Sequence, residues 1–225
     1  MRTARSIAVL IALLALRPNA AGAQRLSGTI VGYSVQHRVL FAGEVYEQTG
    51  AWVGVGGAVR LGKVQLGVGG LFGALSGDDP STNPERDVRS SSLAVSYAVT
   101  PALSFGVEAE ARHFETPVGA SAWRLLGVRA RATPAMGIAG LEGVAEVAFY
   151  PSATVIDGPT ISPAFRTMIG VSYGAPRSPM LVQIGYRFER YDVEGTGGST
   201  RFEQFRGVTA VVGRRFGRSW TRWRE

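Results

Sequence analysis

The stretch from 103 to 114, LSFGVEAEARHF, fixes the kind of fold this chain can form. Leu103, Phe105, Val107, Ala109 and Ala111 alternate with Ser104, Gly106, Glu108, Glu110 and Arg112. At a repeat of 3.6 these residues make no apolar face; at a repeat of two they make two clean ones, so the segment is a strand. The pattern recurs on both sides. AWVGVGGAVRL (51 to 61) and VQLGVGGLFGA (64 to 74) alternate in the same way, with Gly62-Lys63 between them as a two-residue hairpin loop. That loop sets Leu61 opposite Val64 and Arg60 opposite Gln65, so the faces match across the turn. A slip of one residue would have scrambled them. SSLAVSYAV (91 to 99) meets the opening stretch through Thr100-Pro101-Ala102, a register that puts Ala94 beside Glu108, Ser92 beside Glu110 and Ser90 beside Arg112. Small residues facing long charged ones suit an enclosed space.

Further alternating segments fall near 122–133, 140–150, 164–173, 180–190 and 204–216, and a less regular one near 26–36. About ten strands are predicted, with eight as the alternative count. The connections at 62–63, 100–102, 134–139 and 174–179 are short; those at 37–50, 76–88, 114–121, 151–163 and 191–203 are longer and more polar. This is the plan of an antiparallel up-and-down transmembrane β-barrel, tight turns at one end and loops at the other. No linker or second domain interrupts it.

Ahead of the strands, residues 1–23 have the build of a cleavable signal peptide. Arg2 and Arg5 precede the apolar run Ile7 to Leu16, and Ala21-Gly22-Ala23 offers the small-x-small cleavage pattern. The run is about ten residues, half of what a spanning helix needs. The barrel then occupies 24–216, and 217–225 form a basic, aromatic tail holding Trp220 and Trp223. The chain has no cysteine, which excludes disulfides and thiolate metal sites. Its formal charge of +7 falls to +4 without the three arginines of the leader, and the last twelve residues account for that remainder. No basic stripe with interleaved aromatics runs through the strands, so nucleic-acid binding is not expected.

Alternation leaves open which face is wet. A soluble, lipocalin-like carrier turns the apolar face inward, and a membrane barrel turns it out. Three features favour the membrane. The polar face of the second to fourth strands is mainly Gly, Ala and Ser, too small and uncharged for a solvent coat. Apolar-face aromatics gather near strand ends, with Phe72, Phe149, Phe165 and Phe188 at one end and Tyr97, Phe105, Tyr173 and Phe216 at the other, as membrane interfaces select. Polar-face charges also come in complementary sets on consecutive strands: Glu108, Glu110 and Arg112, then Arg129 and Arg131, then Glu142 and Glu146. These seven residues are the expected lumen network.

In this the chain resembles the small outer-membrane β-barrels of Gram-negative bacteria, the OmpA/OmpX-like group. The last strand, GVTAVVGRRF, presents Val208, Ala210, Val212 and Phe216 where that group carries the aromatic-ended signal read by the barrel assembly machinery. Arg214 departs from the apolar pattern, and residues 217–225 follow the aromatic. The resemblance implies an outer-membrane location after export, contact with outer-membrane lipid, passage through the assembly machinery and a monomeric state.

A catalytic site is not expected. His37 and His113 are the two histidines, and neither has a serine or acid at the local spacing of a nucleophilic site. An interfacial position is expected for both. Two histidines make a poor metal site, and SGDDPSTNPERD (76 to 87) lacks the ligand order of a calcium loop. No cofactor is expected. A barrel of about ten strands fills with side chains, whereas open channels need ~16. The expected function is therefore a non-enzymatic envelope protein, structural, adhesive or narrow-pored. The alternatives are a barrel hydrolase acting on lipid or peptide, which would need a histidine to meet a carboxylate and nucleophile in space, and the soluble carrier.

Overall fold

A computed structural model describes residues 24–77, 84–117, 119–156, 158, 160–175, 178–194 and 200–216. The signal-peptide segment and the 217–225 tail lie outside the described residues. Ten strands follow one another in chain order: β1 (Gln24–Phe41), β2 (Glu44–Leu61), β3 (Val64–Gly77), β4 (Arg86–Thr100), β5 (Leu103–Thr116), β6 (Gly119–Ala132), β7 (Leu141–Val155), β8 (Ile161–Tyr173), β9 (Met180–Glu194) and β10 (Thr200–Phe216). Each pairs antiparallel with the next, and β1 pairs with β10 to close the barrel. At this seam Gly207 is required: a Cβ there would stand 1.8 Å from the carbonyl oxygen of Ser34.

The register expected from the turns is found. Leu61 pairs with Val64 and Arg60 with Gln65. Ala94 pairs with Glu108, Ser92 with Glu110 and Ser90 with Arg112. The turn between β4 and β5 differs in detail, because the register shifts between Ala98 and Thr100 and leaves Pro101-Ala102 at the tip.

Loop lengths differ more. The stretch 37–50, expected as a loop, is strand apart from Ala42-Gly43, where both φ angles are positive (52° and 86°), the backbone of a tight hairpin turn. Likewise 114–121 narrows to a turn between Thr116 and Gly119. The barrel is tall at that end because its strands continue, polar outside and mixed inside, and so loop-like in sequence.

The opening segment settles which face is which. Phe105 and Val107 are 50 % and 51 % exposed, whereas Glu108 and Glu110 are 3 % and 5 % exposed. The apolar face points out on every strand: Val53, Leu66, Leu93, Leu126, Val147, Ile169, Ile184 and Val212 are all exposed. A soluble carrier would show the reverse. On β5 the outward apolar run spans Leu103 to Ala111. At ~3.3 Å per residue and a tilt of ~40°, that is a band about 20 Å tall, close to the about 25 Å of a barrel's lipid belt. Past it the outward positions turn polar, as at Gln36 and Arg38, Arg89 and Asp87, His113 and Glu115, and Arg206 and Gln204. At the opposite, short-turn edge, Arg214 interrupts the belt by laying its guanidinium over Phe216, 5.2 Å from the ring centre.

Candidate functional site

The lumen is filled in layers, and the charged layer lies inside the belt. Glu108 and Glu110 sit two positions apart on β5 and so project together into the barrel. Arg166 of β8 reaches both, with Nη2 at 2.5 and 2.7 Å from the Glu108 oxygens and Nη1 at 3.2 Å from Glu110 Oε2. Arg129 approaches Glu108 at 3.3 Å, and the Tyr150 hydroxyl donates to the same carboxylate. Arg112 donates to Glu110 through Nε (3.0 Å) and Nη2 (2.6 Å), while its Nη1 stands 2.8 Å from Glu189 on β9. Glu189 also accepts from Arg187 and from the Tyr191 hydroxyl at 2.8 Å. Glu146 joins through Arg166 and Arg131, each at 3.5 Å, and Arg131 donates to Gln183 across the lumen at 2.9 Å. Buried charges need this density of partners, since each lone carboxylate would otherwise be left without water.

Six of the seven residues expected in the network are in it. Glu142 is not: it pairs in register with Ser172 and makes no ion pair among the described residues. Sequence reasoning passed over Arg166, Arg187, Glu189, Tyr150 and Tyr191. Their signal was present, because each shares its strand's inward parity, opposite to Ile169 on β8, to Ile184 and Tyr186 on β9, and to Val147 and Phe149 on β7.

Above this layer lies an aromatic one centred on Phe205. Trp52, Phe114, Tyr191 and Trp123 place their rings 5.7, 6.0, 6.0 and 6.5 Å from it. Arg112 lies beneath, its Cζ 5.3 Å from the Phe205 ring and 5.8 Å from Trp52, in cation–π contact with both.

The third layer stands beyond the belt. His37, expected at the interface, is instead buried in the lumen and stacked on Phe205 at 4.2 Å. Its Nε2 is 2.9 Å from Glu203 Oε2 and its Nδ1 is 3.1 Å from Gln48 Oε1. Arg201 and Arg86 complete the surroundings of Glu203 at 2.6 and 3.8 Å. The partners are far apart in sequence, on β1 and β10, so no local spacing could show them. His113 is exposed on the outer wall, as expected. Among the described residues no three His, Cys, Asp or Glu side chains form a metal-binding group.

Burial alone would raise the Glu203 carboxyl, but the His37 hydrogen bond and charge, then Arg201 and Arg86, outweigh it and hold the carboxyl at about 2. A carboxyl lowered on folding stabilises the fold above its ordinary range and ceases to as pH falls through its folded value. The loop end should therefore loosen between about pH 5 and pH 2. Amide hydrogen exchange of β1 and β10 beyond the belt measures this, and Glu203→Gln should flatten that part of the acid dependence. An unchanged acid profile in the variant would remove Glu203 as its source.

Neither a family model nor a curated protein matches the sequence. Solved structures are similar to it in fold. The outer membrane protease OmpT of Escherichia coli aligns with a TM-score of 0.50 at 9% identity, over 88% of this chain and 99% of that one. The translocator domain of the autotransporter NalP from Neisseria meningitidis aligns at 0.44 and 13%, over 96% of each chain. Neisserial surface protein A aligns at 0.38 and 12%, over 83% of this chain and 96% of that one. At such identities the likeness is one of fold. The chain is a closed antiparallel barrel of ten strands. That fold is the fold of the outer-membrane β-barrels.

Proposed function

We propose that this chain is a non-enzymatic outer-membrane barrel, closed to solutes, that serves the envelope as a structural or adhesive element through the end standing clear of the lipid belt. The observation that carries this reading is the seal. Arg112, Trp52, Trp123, Tyr191 and Phe205 are all at most 1 % exposed, and, coming from β5, β2, β6, β9 and β10, they pack on one another inside the lumen. Export by the leader, assembly through the aromatic at Phe216 and a monomeric state belong to the same reading.

The hydrolase alternative gains one element, since His37 meets Glu203 in space. It lacks the rest: the second ring nitrogen faces Gln48, no serine or threonine hydroxyl bonds to the ring among the described residues, and His37 is 1 % exposed. A general base has to reach the proton it removes.

Fractionation with heat-modifiable gel mobility tests the class, and planar-bilayer recording tests the closure. The protein is expected in the outer-membrane fraction, shifting on boiling, with no steady conductance and no product released from peptide or phospholipid substrates. A stable open level in the unmodified chain would overturn the closed reading, and turnover lost in His37→Gln would favour the hydrolase.

A further inference from the structure

We propose that the outer wall of β4, β5 and β6 holds a site for a phosphate-bearing lipid, its acyl chain on Ala109 and Ala111 and its phosphate on Arg124 and Arg89. The proposal rests on the membrane reading above, because this wall must face lipid.

Register builds the site row by row. Leu93 pairs with Ala109 and Ala109 with Leu126; one row further from the short turns, Ser91 pairs with Ala111 and Ala111 with Arg124. The row beyond pairs Arg89 with His113. One row nearer the short turns, the same strands carry Val95, Val107 and Val128. Ala109 between Leu93 and Leu126, and Ala111 between Ser91 and Arg124, therefore leave a trough beside the branched side chains of the row below. The groove there measures ≈ 600 Å³ and is edged by Ser91, Ser152 and Thr154 on its polar side. It lies where the belt ends, the depth at which a lipid passes from chain to headgroup.

Charge selects the occupant. Other outward arginines beyond the belt are engaged: Arg38 with Glu47 at 3.6 Å, Arg190 with Asp192 at 2.8 Å and Arg206 with Gln36 at 3.1 Å. Arg89 and Arg124 have no ion pair or hydrogen bond among the described residues. The acids of this sector, Asp87 and Glu115, pair with each other in register one row further from the belt. Two unengaged guanidiniums over an apolar trough fit a headgroup phosphate with a chain attached, and the hydroxyls supply further donors to its oxygens. A free anion would use the arginines and ignore the alanines.

The test is native mass spectrometry of the whole barrel released from detergent with dioleoyl-phosphatidylglycerol or dioleoyl-phosphatidylcholine. Retention of the anionic lipid should exceed that of the zwitterionic one by about thirtyfold, what two interfacial arginines contribute. Arg89→Ala with Arg124→Ala should abolish the preference, Ala111→Phe should lower retention of both lipids, and Arg206→Ala should change neither. Ala109→Leu is the milder filling variant, and heat-modifiable mobility confirms that each variant has folded. Three results would overturn the site: preference kept in the double arginine variant, equal loss in Arg206→Ala, or full competition by inorganic phosphate with the filling variants silent. A barrel that stays monodisperse without detergent would instead sink the membrane reading, so the two failures are told apart.

Discussion

Replacing Arg112 with methionine is expected to lower the unfolding free energy of the barrel by about 3–5 kcal/mol, the usual cost of breaking a buried ion pair from one side. The magnitude follows from what remains. Methionine keeps the stem in contact with Trp52, Tyr191 and Phe205 but removes the fork that bridges Glu110 and Glu189. Glu110 is left with Arg166 at 3.2 Å, and Glu189 with Arg187 and the Tyr191 hydroxyl. Both carboxylates stay fully inside, so their remaining partners only partly offset the lost charge. Arg129→Met is the control. Its side chain is 18 % exposed and makes one contact at 3.3 Å, to a carboxylate that keeps Arg166 and Tyr150, so the cost should be about 1 kcal/mol. Adding Glu189→Gln to Arg112→Met should recover part of the loss, and the cycle gives the coupling directly. Urea unfolding in detergent micelles measures all of these. Equal costs at Arg112 and Arg129 would mean that the network does not act through its buried centre.

Much of this arrangement was legible in the sequence, and the limits have physical causes. Period two is a local property, so strand number, facing and the hairpin registers through Gly62-Lys63 and across Glu108 and Glu110 could be read directly. The tall end could not. Beyond the belt a strand such as 34–41 is polar outside, at Gln36 and Arg38, and mixed inside, at Val35 and His37. No contrast between faces remains there to report periodicity. The Ala42-Gly43 turn was hidden too, because alanine at a positive φ is not a residue that turn chemistry suggests. Within the lumen, neighbours on adjacent strands, such as Arg131 and Glu146, could be inferred from order alone. Pairs that cross the barrel, Arg112 with Glu189 and Arg166 with Glu108, depend on curvature and side-chain reach. His37 with Glu203 depends on closure, since it joins the first strand to the last. Closure is a property of the whole sheet, so no window of sequence carries it.

Phe205→Ala should cost about 3–5 kcal/mol, within the range for a large aromatic removed from a well-packed core. Phe205 is fully buried, and His37, Trp52, Phe114, Trp123 and Tyr191 all pack on it. Those rings come from five strands fixed by barrel hydrogen bonds, so they cannot close in on the space, and the cavity term should be near its upper end. Phe205→Leu fills most of the volume and should lose less than half as much. Conductance then separates packing from sealing. Beneath the lost ring, Arg112 still bridges β5 to β9 and Arg166 still bridges β8 to β5. Phe205→Ala alone is therefore expected to stay closed in a planar bilayer despite its lower stability. Joined with Arg112→Met it removes adjacent parts of both layers, and brief openings are expected. Steady conductance from Phe205→Ala by itself would show that the aromatic layer is the only barrier and that the charged layer beneath it already admits water and ions.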